Sequence, residues 1–114
     1  MMAIKSQVFE NIFITGASLG IGAALSGYYA VPGVTLGLLS RSAEELRDVA
    51  EHCRVKGAAV YTYVADVTDT QELKRCAMDF QSHAEGVDLV IANAGIRMEE
   101  DPENQEVAIP ARIM

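Results

Sequence analysis

Along this chain, short runs rich in apolar residues alternate with longer stretches in which apolar residues return every three or four positions. Val8 to Thr15 is the first run, centred on Ile12, Phe13 and Ile14, and its length suits a strand. From about Gly20 to Ala30 the spacing predicts a helix, with Ile21, Ala24, Leu25 and Tyr28 at i, i+3, i+4 and i+7 as its inward stripe. Pro32-Gly33 ends that helix, and Val34 to Leu39 reads as a second short strand. Ser42 and Glu45 have the Ser-x-x-Glu spacing of a capping box. They open a helix with the inward stripe Leu46, Val49, Ala50 and Cys53, which Gly57 terminates. Ala59 to Val64 is a third strand, rich in the β-formers Val60, Tyr61, Thr62 and Tyr63. Asp69 is placed to N-cap a third helix, with Glu72 three residues on, the stripe Leu73, Cys76, Ala77 and Phe80, and a stop at Gly86. Val87 to Ala92 is the fourth strand.

Strands separated by amphipathic helices imply βαβ units and a parallel sheet, hence an α/β fold. Right-handed crossovers give the strand order 3-2-1-4 if the chain reverses direction after strand three. The pattern reads as the first half of a doubly wound, Rossmann-type fold, expected to be cut short at Met114. Residues 1–97 form one half-domain, without repeats, low-complexity segments or linkers. Residues 98–114 read as an acidic loop and the start of a helix. The run Leu89 to Ala92 expects cover on both faces and a neighbour on each side. A sheet ending there has an unpaired edge, so non-specific self-association is expected, with any homo-oligomer interface of the complete fold missing.

With 114 residues, half of them hydrophobic and 22% charged, the chain has the composition of one globular domain. Its net charge of −7 disfavours a nucleic-acid partner. Glu99, Glu100, Asp101, Glu103 and Glu106 supply much of that charge near the C-terminus, as a solvated face. No formal charge occurs from Asn11 to Ser40, long enough to raise the question of a membrane span. Gly16, Gly20, Gly22, Gly27, Pro32, Gly33 and Gly37 divide that stretch, and no membrane association is expected. Cys53 and Cys76 fall on apolar helix stripes and read as buried thiols; with His52 and His83 on helix surfaces, no metal site is expected. Reduced cysteines and the lack of a signal-peptide pattern point to a cytoplasmic location.

The chemistry lies at the ends of the strands. Thr15-Gly16-Ala17-Ser18-Leu19-Gly20-Ile21-Gly22 joins the first strand to its helix. Gly16 permits the turn, Gly20 lets backbone approach a ligand, and Gly22 lets helix and sheet pack closely. The helix that follows offers N–H groups and the positive end of its dipole to a phosphate. Ser18 and Ile21 are placed to add hydroxyl or backbone donors, with Leu19 between them. Asp66-Val67 follows the third strand and Asn93-Ala94-Gly95 follows the fourth. Taken alone, Asp66 could also serve a turn, and Asn93-Ala94-Gly95 could be a simple loop exit.

Three motifs in this order and spacing resemble the N-terminal part of the short-chain dehydrogenase/reductase family, over about residues 8–97. The resemblance implies a nicotinamide dinucleotide cofactor and hydride transfer between it and a carbonyl or alcohol carbon. It implies that Asp66 accepts from the adenine amino group, that Asn93 braces the sheet, and that Gly95 gives the ribose room. An NAD enzyme would carry a carboxylate at the end of the second strand for the ribose 2′-hydroxyl. This chain has Ser40-Arg41, and a cation beside a helix N-terminus is locally unfavourable by about 0.3–1 kcal/mol. A 2′-phosphate partner explains Arg41, so NADP is expected over NAD; the alternative is an exposed Arg paired with Glu44 or Glu45.

The family's catalytic Ser and Tyr-x-x-x-Lys have no match. Tyr28, Tyr29, Tyr61 and Tyr63 are followed four residues later by Pro32, Gly33, Ala65 and Val67. No catalytic residue is assigned, and this chain alone is expected to be inactive. The alternatives are a non-catalytic dinucleotide-binding fragment or regulator, and another Rossmann-type enzyme such as a methyltransferase, in which Asn93-Ala94-Gly95 has no role.

Overall fold

A computed structural model describes residues 9–93. In chain order the elements are β1 (Asn11–Thr15), α1 (Gly20–Tyr29), β2 (Thr35–Ser40), α2 (Ala43–Val55), β3 (Ala59–Val64), α3 (Thr70–Ala84) and β4 (Leu89–Ala92). All pairings are parallel, as the alternation of periods implies, and the order β3-β2-β1-β4 is the one expected for a chain that reverses after its third strand. The register aligns Thr15 with both Leu39 and Ala92, and Ser40 with Val64. The C-terminal ends of all four strands therefore share one rim, and every motif singled out above follows one of those ends.

Two hydrophobic clusters lie on opposite faces of the sheet. On one, Ile12, Ile14, Leu36, Leu38, Val60, Leu89 and Ile91 meet Leu46, Ala50 and Cys53 of α2. On the other, Phe13 and Leu39 meet Cys76, Phe80 and Ala84 of α3. Alternate strand residues supply the two faces, which is the period-2 rule of a pleated sheet. Gly37 makes room for α3: a Cβ there would lie 2.7 Å from Phe80 Cδ1 and 2.8 Å from Phe13 Cδ1. The Phe13 and Phe80 rings pack with centroids 5.5 Å apart. Both cysteines are free and buried, and burial pushes both thiols above their ordinary titration range.

The caps of α2 and α3 form where the sequence places them. Ser42 Oγ accepts from Glu45 N at 3.3 Å, and Asp69 Oδ1 accepts from Glu72 N at 3.2 Å. The capping box at Ser42 is only half realised, however. The Ser42 N–H donates to Ser40 Oγ at 3.3 Å, not to the Glu45 carboxylate. At the other end of α3, Glu85 is left-handed with φ 60°, followed by Gly86 at φ 109°.

The face of α1 differs from the expected one. Gly22 and Ser26 are buried, with Ala30 just beyond the helix, whereas Ile21 is 58% exposed and Tyr28 74% exposed. Ala24 is exposed and Leu25 half-buried. Small residues at i, i+4 and i+8 let α1 approach the sheet closely, and that packing outweighs the larger apolar stripe. The Ser26 hydroxyl donates to Gly22 O at 2.8 Å, so no polar group is left unpaired by its burial.

Several boundaries also shift. β1 begins at Asn11 and β4 at Leu89, later than expected. Asp88 explains both late starts: its Oδ2 accepts from Glu10 N and Asn11 N at 2.8 and 2.9 Å, bracing the strand entry by a side chain. β2 is displaced by one residue, to Thr35–Ser40, and α1 ends at Tyr29 with Ala30 as its C-cap. Among the described residues β4 is covered on its Leu89/Ile91 face only, with Val90 43% exposed on the other. No helix among the described residues is long and apolar enough to cross a membrane.

Candidate functional site

The loop after β1 is gripped by both neighbouring strands. On the β2 side, Ala17 N donates to Leu39 O at 3.1 Å, and Ser18 Oγ lies 2.6 Å from Ser40 Oγ. On the β4 side, Asn93 N donates to Thr15 Oγ1 at 3.0 Å, and Asn93 Nδ2 reaches Gly16 O at 3.5 Å. Gly16, at φ 65°, makes the turn. Gly22 then packs directly on the Gly16 peptide: a Cβ on Gly22 would fall 1.8 Å from Gly16 O and 2.9 Å from Asn93 Nδ2. Residues from the first and third motifs thus form one contact set, as their positions on the rim imply.

The remaining glycine does something else. Gly20 has φ 51°, and a Cβ there would meet nothing within 4 Å. Its lack of a side chain serves backbone conformation and leaves open space over the start of α1. That helix is also the uncapped one: Leu19 is its N-cap and supplies no side-chain hydrogen bond, while α2 and α3 are closed by Ser42 and Asp69. An α-helix begins with backbone N–H groups that its own carbonyls cannot reach. At α1 these groups, with the helix dipole, are available to an anion. The exposed side chains of Leu19 and Ile21 flank this opening.

Arg41 and Asp66 stand after neighbouring strand ends, where Ala65 N donates to Ser40 O at 3.0 Å. Arg41 is exposed and forms no ion pair among the described residues, so the expected alternative of a bridge to Glu44 or Glu45 is not realised. Asp66 Oδ1 accepts from Thr68 N at 2.9 Å and from Thr68 Oγ1 at 2.8 Å. The backbone bond, then the hydroxyl bond, with a smaller contribution from the Arg41 charge, hold its carboxyl below the ordinary range. Asp66 is therefore a turn-former as well as an anion at the rim. Val67 is half-buried against the α3-side cluster. Ser18 and Ser40 are buried, with their hydroxyls turned on one another. Ala94 and Gly95 lie outside the described residues. No group of His, Cys, Asp and Glu among the described residues could hold a metal.

Two features of the loop escaped the sequence reading: the Thr15 hydroxyl as acceptor for Asn93, and the Ser18–Ser40 bond. Both join residues brought together by parallel register, 78 and 22 positions apart in the chain. No local pattern signals them.

A four-stranded parallel sheet in this order, with a glycine-rich turn opening the helix after its first strand, is a fold of Rossmann type. The family model for the short chain dehydrogenase matches residues 10–113, and the chain belongs to that family. It is 37% identical over 103 residues to 11-beta-hydroxysteroid dehydrogenase 1A of Arabidopsis thaliana, covering 84% of this chain and 30% of that protein. Among solved structures it resembles a 3-ketoacyl-ACP reductase from Sinorhizobium meliloti, with 31% identity and a TM-score of 0.70, over 87% of this chain and 41% of that one. An NAD+-bound xylitol dehydrogenase aligns with 25% identity and a TM-score of 0.72, over 83% and 38% of the two chains. The chain thus spans about a third of the length of the relatives it matches.

Proposed function

We propose that this chain is the dinucleotide-binding part of a short-chain oxidoreductase that transfers hydride between NADP(H) and a carbonyl or alcohol carbon. The observation that carries this reading is the open start of α1: an uncapped helix, a turn fixed by Gly16, Gly22 and Asn93, and free space at Gly20. These residues fit a pyrophosphate, which needs close backbone approach and N–H donors. When bound, the nicotinamide supplies or accepts the hydride. The chain's own residues bind and orient: Gly16 to Gly22 the paired phosphates, ionised Asp66 the adenine amino group, and Asn93-Ala94-Gly95 the exit of β4 beside the ribose.

Arg41 supports the choice of NADP. An exposed guanidinium with no ion pair among the described residues, beside a helix N-terminus that disfavours it, is suited to a phosphate monoester on the adenosine ribose. The tyrosine–lysine pair that the family resemblance implies for proton transfer is not in this sequence, so no catalytic residue is assigned. The expected site of action is the cytoplasm.

The test is a titration of the chain with NADP+ and NAD+, repeated on Arg41→Asp. For a partial site a Kd on the order of 1 mM is expected, equivalent to about −4 kcal/mol. NADP+ should bind more tightly than NAD+, and Arg41→Asp should abolish or reverse that order. An unchanged preference in Arg41→Asp overturns the assignment of NADP.

A further inference from the structure

The β1–α1 loop and the turn after β2 are joined by hydroxyl groups in addition to backbone. Ser18 and Ser40 are 8% and 7% exposed, and their Oγ atoms are 2.6 Å apart. Ser40 Oγ also receives the Ser42 N–H at 3.3 Å. One oxygen thereby ties three points: the loop ahead of Leu19, the end of β2, and the N-cap of α2. Arg41 lies inside the Ser40–Ser42 span, exposed and without an ion pair among the described residues.

This arrangement has two consequences. The buried pair sits where a hydrogen bond is strengthened by low polarity and where losing one partner strands the other, so it enforces one geometry. The Ser40 contact also takes the N–H that Glu45 would receive in a complete capping box. The Glu45 carboxylate is therefore not drawn to the residue next to Arg41, where a ligand phosphate would meet its charge.

We infer that Ser40 is a positioning residue that sets the spacing between two anion-binding points. Those points are the Gly16–Gly22 loop for a pyrophosphate and Arg41 for a phosphate monoester on the adenosine ribose. The link runs through Ser18, Ser40 and Ser42, and the inference rests on the function proposed above. An Arg–phosphate pair is demanding in geometry, so loosening the link harms recognition of the extra phosphate more than of the shared pyrophosphate.

The experiment titrates the full chain, Ser40→Ala and Ser18→Ala with NADP+ and with NAD+, following amide shifts by NMR so that folding is read in the same spectra. Ser18→Ala leaves the Ser40–Ser42 contact in place and serves if Ser40→Ala does not fold. The expected result is a fall of about fivefold in the ratio of the NAD+ Kd to the NADP+ Kd, about the net worth of one hydrogen bond. A purely structural role would weaken both ligands equally; an unchanged ratio in the folded variants overturns this inference alone. Absence of dinucleotide binding by the unaltered chain overturns the proposed function and this inference with it.

Discussion

Replacing Gly22 by Ala puts the packing of α1 on the phosphate loop to a direct test. The added Cβ would stand 1.8 Å from Gly16 O and 2.8 Å from Gly16 C, where real Cβ contacts are essentially never below 3.0 Å. The obstacle is backbone, so no rotamer change can relieve it; either α1 or the Gly16 turn has to move. Overpacking of this kind costs about 1–3 kcal/mol, and a backbone obstacle belongs at the upper end. Ala is the better helix former by about 1 kcal/mol, which offsets part of that. The net loss expected is about 2 kcal/mol, or a fall in Tm on the order of 10 °C for a domain of this size. Gly27→Ala in the same helix is the control. Its Cβ would meet His52 at 3.8 Å, an ordinary contact, so a gain of about 0.5–1 kcal/mol is expected. Urea and thermal unfolding followed by circular dichroism measure both. A Gly22→Ala chain as stable as the parent would refute the close approach of α1 to Gly16.

Three further outcomes follow from the same geometry. Asp66 is held below its ordinary range, so its contribution to stability is fully present above about pH 5 and is lost as pH falls through the lowered value, below about 3.9. The stability difference between the parent and Asp66→Asn, read by urea unfolding, should be constant above that window and close in acid; a difference that widens in acid contradicts the Thr68 bonds as its cause. Gly20→Ala, at φ 51° with open space around it, should cost about 1–2 kcal/mol in unfolding experiments yet remove dinucleotide binding; binding at the parent's affinity would show that no ligand approaches there. Sedimentation at rising concentration should show self-association through β3 and β4, the outer strands of the described sheet, which carry the exposed Val64 and Val90; a monomer throughout counts against that.

The parts of this molecule that were legible in sequence are those with a strong local signal. α2 and α3 have polar caps and stripes of large apolar residues, and Leu46, Ala50, Cys53, Cys76 and Phe80 are buried as their spacing requires. The strand order followed from right-handed crossovers only together with a reversal after the third strand, which no local pattern in the sequence specifies. The inward face of α1 was not legible, because the residues that pack inward are the small ones, Gly22 and Ser26. Hydrophobicity selects Ile21 and Tyr28 instead, and only the closeness of the sheet decides against them. At the site, glycine spacing located the loop: Gly16 and Gly20 are required by backbone conformation, and Gly22 by close packing on the Gly16 peptide. The hydroxyl contacts that hold the loop were invisible, because Ser18 meets Ser40 and Thr15 meets Asn93 only after the sheet has formed.

The central claim is that the free N–H groups at the start of α1 hold the paired phosphates of a dinucleotide. Amide shifts of the chain during titration with NADP+ test it residue by residue. The predicted result is that the largest shifts fall on Ser18 to Gly22 and on Asn93, saturating in the millimolar range. Shifts centred elsewhere, or none at saturating ligand, would contradict it.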